Sequence, residues 1–169
     1  MNRYPLTSLE REYLSHIQDL MDHDKVRSMS RYTQHGDTSC LEHSLQVSFT
    51  SFRMARRLGL DAAAAARGGL LHDFFLYDWH EKKKDSGRQG LHAFTHPKAA
   101  LANARAHFPL GKKEEDIIVK HMWPVTLALP RYRESYLVIL ADKWCAMTEV
   151  FAKGRNAMAR IFRVLQLEA

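Results

Sequence analysis

Nearly every segment of this chain repeats its apolar residues at intervals of three and four, and none alternates apolar with polar over a strand's length, which confines it to helices. Thr7-Ser8-Leu9-Glu10 has the spacing of a capping box, and Leu9, Tyr13, Ile17, Leu20 and Met21 then form one stripe, so a first helix starts here. A second is predicted from about Thr38 to Leu58, with Gly59 as its stop; Asp61 caps a third that carries the alanines and reaches His72-Asp73. From Tyr77 to Thr95 charge and glycine replace periodicity, the mark of a long loop. A fourth helix is expected to start at Thr95-His96-Pro97, with Pro97 in the first helical position. A fifth spans Glu114 to Trp123 and is ended by Pro124, a sixth runs from Glu134 to about Phe151, and a weaker last one from Asn156 to Leu167. The class is all-α, a bundle of six to seven helices in a single domain over 1–169, without repeats or linkers.

With 169 residues and 46% hydrophobic content, the chain can bury a core without disulfides or structural zinc. Cys40 and Cys145 are too few and too scattered for either and read as free thiols in a reducing cytosol. The N-terminal stretch has no apolar signal core, and no uncharged apolar run approaches the roughly 20 residues that span a bilayer, so a soluble cytoplasmic protein is expected. Lysine and arginine outnumber aspartate and glutamate by 25 to 19, which favours anionic partners, from nucleotides to nucleic acid. Nucleic acid is the less favoured of these, because no aromatic and basic residues interleave on a strand platform. The ten histidines are the unusual count, and their positions carry the argument.

His43 shares the apolar side of its helix with Cys40 and Val47; His121 follows Ile117 by four residues and Ile118 by three; Asp142 sits among Val138, Ile139, Cys145 and Ala146. All three are predicted to point inward. A buried carboxylate needs a cation, a hydrogen-bonding partner or a metal, and no lysine or arginine shares the Asp142 stripe; Lys143 is turned about 100° away. Taken singly, each of these residues reads equally well as a core histidine or a capping carboxylate. Together with His72-Asp73 they form a set of imidazoles and carboxylates of the kind that holds zinc, iron or manganese.

At this point the sequence resembles the HD-domain metal-dependent phosphohydrolase superfamily. The phrases EHSLQVS, GGLLHD and VILADKW match its first histidine, its histidine-aspartate pair and its last aspartate, and FTHPKAA and VKHMWP add His96 and His121, as in the subgroup with two metals. The resemblance covers about residues 35–150. It implies that His43, His72, Asp73 and Asp142 hold one metal, and that Asp73 bridges to a second held by His96 and His121. A bridging role suits a carboxylate, which has two oxygens where an imidazole has one available lone pair. Two such cations, of iron, manganese, zinc or magnesium, would activate a hydroxide and neutralise charge on phosphorus. The implied function is a phosphatase or phosphodiesterase acting on a small phosphorylated metabolite of the nucleotide kind. The superfamily also contains di-iron oxygenases with this ligand set, and a non-catalytic regulatory or RNA-binding module is a third reading.

Some two-metal relatives carry a lysine three or four residues after the aspartate of the pair; here Leu76 and Tyr77 stand there, and the Gly-Tyr-Pro motif of the cyclic dinucleotide phosphodiesterases is absent. Asp78 is a candidate for positioning water or protonating a leaving group, and equally a helix-end carboxylate. Lys83 and Arg88, in the charged run that begins EKKK, are candidates for drawing in phosphate, as are Lys98 and Lys143 beside the proposed ligands. His80 and His92 flank the loop and compete with His96 as ligand. Trp79, Trp123 and Trp144 suit base stacking but are expected in the core. Self-association is left open, and His16, His23, His35 and His107 receive no role.

Overall fold

The computed structural model describes residues 5–35, 38–77, 92–149, 161 and 163–165. Among them seven α-helices follow one another: α1 (Ser8–Met21), the single turn α2 (Asp24–Arg27), α3 (Cys40–Arg57), α4 (Ala62–Leu71), α5 (His92–His107), α6 (Lys112–Lys120) and α7 (Arg133–Glu149). A 3₁₀ turn at Ser28–Arg31 and a small antiparallel ladder, β1 (Thr33–His35) with β2 (Thr38–Ser39), separate α2 from α3. The architecture is an all-α bundle. Residues 163–164, with Ile161, supply a last helical stretch; the rest of the helix expected from Asn156, and the charged run of 78–91, lie outside the described residues.

Local chemistry explains most boundaries. Thr7 and Glu10 exchange the two hydrogen bonds of a capping box, at 2.8 and 3.2 Å, and Tyr13, Ile17, Leu20 and Met21 are buried behind them. Ser39 and Glu42 form a second box, which starts α3 at Cys40 rather than Thr38, because Thr38–Ser39 pair with β1 instead. Gly59 ends this hairpin of helices at a φ of +64°, where a side chain would be strained, and the Asp61 carboxylate accepts from the Ala64 N–H at 3.0 Å to begin α4.

Two expectations are corrected. α5 starts at His92, so Pro97 lies inside it rather than at its first position, and the irregular segment is shorter at its C-terminal end than Tyr77–Thr95. The proline removes one backbone bond; His96, Pro97, Ala100 and Ala104 are buried on the inner side of the helix, while Phe94 and Thr95 in the turn that precedes them are exposed. α6 begins at Lys112, where Glu114 accepts the Gly111 N–H, and ends at Lys120, short of Pro124; a run of turns and a cis Trp123-Pro124 bond follow.

α3 and α4 form the closest pair, and glycines permit it. A Cβ on Gly69 would lie 3.0 Å from the Ser48 Cα of α3, and one on Gly68 would lie 2.8 Å from the Ile117 side chain of α6. The Tyr13 hydroxyl donates to Ser48 Oγ (2.9 Å), which donates to the Ala66 carbonyl (2.6 Å), so α1, α3 and α4 are tied at the same level. Asp116 on α6 accepts from the Arg131 N–H and the Ser135 hydroxyl at 2.9 and 2.7 Å, fixing the entry to α7. The main core fills the space between α1, α3, α4 and α5; Val47, Ile117, Val138, Ala141 and Cys145 form a smaller one where α3, α6 and α7 meet.

Gly69→Ala tests this close approach. A helix interior alone favours alanine by about 0.5–1 kcal/mol, whereas forcing the α3 backbone outward costs about 1–3 kcal/mol. The variant is therefore expected to melt at a lower temperature than the wild type, and a raised melting temperature would contradict the packing.

Candidate metal centre

α4 ends at Leu71, which leaves His72 as its C-cap and puts Asp73 in the turn beyond it. The Phe74 and Phe75 N–H groups turn the chain back on the Leu71 and Asp73 carbonyls, at 3.1 and 2.8 Å, and Leu76 then takes a left-handed φ of +56°. A non-glycine residue in that region costs energy and persists where packing imposes it. Here both Phe74 and Phe75 are buried, so the turn that carries the carboxylate is clamped from behind.

Around Asp73 the structure assembles residues from five helices. His43 comes from the first turn of α3, His96 from α5, His121 from the C-cap of α6 and Asp142 from the middle of α7. Asp73 Oδ2 lies 3.3 Å from His72 Nε2, while Oδ1 lies 3.4 Å from His96 Nε2 and 3.5 Å from His121 Nε2. Asp142 Oδ1 lies 3.0 Å from His43 Nε2 and 3.8 Å from His72 Nε2. Two triads could hold a metal ion, His43-His72-Asp73 and Asp73-His96-His121, and Asp73 is common to both. The two oxygens of one carboxylate thus address different histidines.

Five of the six side chains are buried; the Asp142 side chain is 18% exposed, so among the described residues the centre meets solvent on the α7 side. The backbone fixes two of the imidazoles. His72 Nδ1 donates to the Gly69 carbonyl at 2.7 Å and His121 Nδ1 to the Ile118 carbonyl at 2.8 Å, which leaves each Nε2 as a lone pair facing inward. His96 Nε2 and His121 Nε2 are 2.8 Å apart, a hydrogen bond in which His96 donates to the inward lone pair of His121. His72 Nε2 is buried without a well-directed hydrogen bond. An inward lone pair with no donor suits a metal ligand, and a buried polar atom left so is otherwise costly.

The electrostatics have the same sense. Burial disfavours a charged Asp73, yet His72 and His96 outweigh it and hold the carboxyl well below the usual range. Burial also opposes ionisation of Asp142, and the hydrogen bond from His43 together with His72 brings it down to about 2. His121 is driven down to about 3, first by burial. For His72 burial acts downward too, but the adjacent Asp73 and Asp142 carboxylates prevail and raise it. Two ionised carboxylates and a neutral His121 are ligand states that a divalent cation requires, and a bound cation would replace the proton that the carboxylates favour on His72.

Other expected residues fall in different places. Lys98 and Lys143 are exposed, and Lys143 Nζ lies 3.4 Å from the Trp123 carbonyl. Asp78, Trp79, His80, Lys83 and Arg88 lie outside the described residues, as does the side chain of His92, which opens α5 one turn before His96; His96 Nε2 lies 3.4 Å from Asp73 Oδ1. Trp144 is exposed rather than in the core, turned about 100° on α7 from the buried Cys145, and Trp123 is only partly buried. Cys40 and Cys145 are buried and form no disulfide among the described residues. Sequence reasoning assigned nothing to Tyr77 and Thr95, whose side chains hydrogen-bond and tie the turn after Asp73 to the first turns of α5. Only their nearness to the motifs could have suggested it.

The metal-free chain should be acid-sensitive. His121 stays neutral when folded but takes up a proton near pH 6.5 when unfolded, so stability falls as pH drops from about 6.5 toward 3. The Asp142 contribution is present above pH 3.8 and lost as pH falls through about 2. Urea unfolding of chelator-treated protein should show a decline of up to about 1.4 kcal/mol per pH unit, and His121→Gln should flatten it between pH 6.5 and 4. Equal slopes for both proteins would contradict the assignment.

Comparisons with known proteins bear on the family and the fold. The family model described as "HD domain" matches residues 40–147. Ribonuclease Y of Aquifex aeolicus (strain VF5) is 33% identical over 131 residues, which is 76% of this chain and 20% of that protein, so the chain spans about a fifth of the relative's length. Among solved structures, the L. monocytogenes phosphodiesterase PgpH HD domain in complex with cyclic-di-AMP superposes with a TM-score of 0.52 at 14% identity, covering 92% of this chain and 81% of that one, a likeness of fold. The match over residues 40–147 includes all six residues of the buried cluster, and the chain belongs to the HD-domain family.

Proposed function

We propose that the chain is a metal-dependent phosphohydrolase that cleaves a phosphodiester or phosphomonoester of nucleotide type at a centre of two metal ions. The observation that carries this reading is the shared carboxylate: Asp73 belongs to both buried triads, one oxygen on the His72 side and the other on the His96-His121 side. Iron, manganese or zinc suits imidazoles mixed with carboxylates; magnesium, which prefers oxygen ligands, suits them less. When bound, a pair of cations supplies a water of lowered pKa and positive charge against the phosphoryl oxygens.

The residues of the chain do the rest. His43, His72, Asp73 and Asp142 hold one cation, and Asp73, His96 and His121 the other. The backbone carbonyls of Gly69 and Ile118 keep two imidazoles in the tautomer that presents Nε2 inward. Asp142, at the solvent-facing edge, marks where substrate arrives, and Lys143 beside it and Lys98 on α5 meet its phosphate oxygens. Asp78 orients water or protonates the leaving group, and Lys83 and Arg88 draw the anion in. The names of the similar proteins, a ribonuclease and a phosphodiesterase in complex with cyclic-di-AMP, favour phosphodiesters, so short oligoribonucleotides belong among the substrates tried.

A panel of nucleoside monophosphates, cyclic and linear dinucleotides and short oligoribonucleotides, assayed with added manganese, iron or zinc, tests the proposal. At least one substrate should release product, and Asp73→Asn should lower kcat by about 10³ or more, some 4 kcal/mol of barrier. Lys143→Ala should raise KM with a smaller effect on kcat. Oxygen uptake with two irons and no phosphorus–oxygen cleavage would replace this reading with an oxygenase.

A further inference from the structure

Of the six residues of the buried cluster, α5 carries only His96, and His96 belongs only to the Asp73-His96-His121 triad. The His43-His72-Asp73 triad and Asp142 stand on α3, on α7 and at the end of α4. The seating of α5 therefore bears on one half of the centre. Between His96 and Phe108 its buried apolar residues are Pro97, Ala100 and Ala104, small side chains that each gain little from burial. Pro97 also lacks the N–H that would bond back to Ala93, so the turn before His96 has one helical bond fewer.

Polar ties join this helix to the turn after Asp73. Asn103 Nδ2 donates to the Phe74 carbonyl at 2.9 Å, and the Tyr77 and Thr95 side chains hydrogen-bond to each other. The Phe75 ring centroid lies 5.0 Å from that of Tyr77 and, edge-on, 5.8 Å from that of the His96 imidazole. The turn is thus fastened to α5 on both sides of His96. Asp73 is held from another direction as well, because the Cys40 thiol of α3 donates to its carbonyl at 3.5 Å.

We propose that Asn103 is a positioning residue for the second metal ion alone, an inference that rests on the two-ion centre proposed above. Its bond to the Phe74 carbonyl sets the distance between the α5 backbone and the turn, and so keeps His96 Nε2 opposite Asp73 Oδ1, at 3.4 Å. Without it, α5 samples positions in which these two atoms no longer face one cation. The apparent affinity for that ion then falls with the fraction of molecules in the competent position. The first triad is spared, since Asp73 stays tied to α3 through Cys40 and His72 stays on the Gly69 carbonyl. The Tyr77–Thr95 bond acts in the same sense from the other side of His96.

Manganese titrated calorimetrically into chelator-treated protein tests this. The wild type should take up two ions per chain. Asn103→Leu keeps a branched side chain at this half-buried position but leaves the Phe74 carbonyl without its donor. In a His43→Ala background, where only the Asp73-His96-His121 triad is complete, it should weaken binding about tenfold. In a His121→Ala background, where only the His43-His72-Asp73 triad is complete, it should change binding by less than about twofold. Thr95→Val, at an exposed position, should weaken binding in the first background by a smaller factor and leave the second unchanged. Equal weakening in both backgrounds would mark a merely structural role, and that result, or no change in either background, would overturn the proposal. A wild type that binds one ion would instead overturn the two-ion reading beneath it.

Discussion

Everything in this fold is arranged around one carboxylate that water does not reach. Asp73 is buried and ionised, with His72, His96 and His121 within 3.3 to 3.5 Å of its oxygens. An isolated buried carboxylate would take up a proton, and this one does not because the imidazoles around it supply positive charge or donor hydrogens, the same role a metal ion would fill more strongly. The negative field it creates raises His72, and burial keeps His121 neutral, so the cluster already has the balance of charge that a cation would complete. The interaction is also expensive, which is why the rest of the molecule is built to hold it.

The holding is visible at each helix. Gly68 and Gly69 let α4 approach α6 and α3 closely enough to bring its C-cap to the centre, and Ser39 with Glu42 starts α3 so that His43 falls in its first turn. Asp116 ties the start of α7 to α6, which sets the register that places Asp142 opposite His43. Carbonyls left over at the ends of α4 and α6 are satisfied by the imidazoles themselves, through His72 Nδ1 and His121 Nδ1. Helix termination and ligand orientation are thus one set of hydrogen bonds, and a change in either is felt in the other.

How much of this could be read from the chain depends on whether the deciding force was local. The caps at Thr7, Ser39 and Asp61 and the stop at Gly59 are short-range hydrogen bonding and backbone sterics, and the residues announce them. The inward histidines and Asp142 were legible because a polar side chain on an apolar stripe is costly to bury unless a partner meets it there. Pro97 was misleading: its local preference points to a helix start, yet the helix begins a turn earlier at His92, and nothing in the burial of that turn announces it, since Phe94 and Thr95 are exposed. The β1–β2 ladder gave no signal, being only a few residue pairs. Trp144 was expected inside because its neighbours in sequence are apolar, but on a helix its neighbours in space are Leu140 and Met147, on the uncovered face. The joining of two triads through one residue was not derivable from spacing, since it depends on which oxygen faces which helix.

That joining is the central claim, and metal stoichiometry in variants tests it most directly. Protein purified without chelator is analysed by elemental mass spectrometry alongside His43→Ala, His121→Ala and Asp73→Asn. A carboxylate shared by two sites predicts two metal ions per chain in the wild type, one in each histidine variant, and fewer in Asp73→Asn than in either of them. An Asp73→Asn protein that keeps two ions, or a wild type that binds a single ion indifferent to His121, would contradict it.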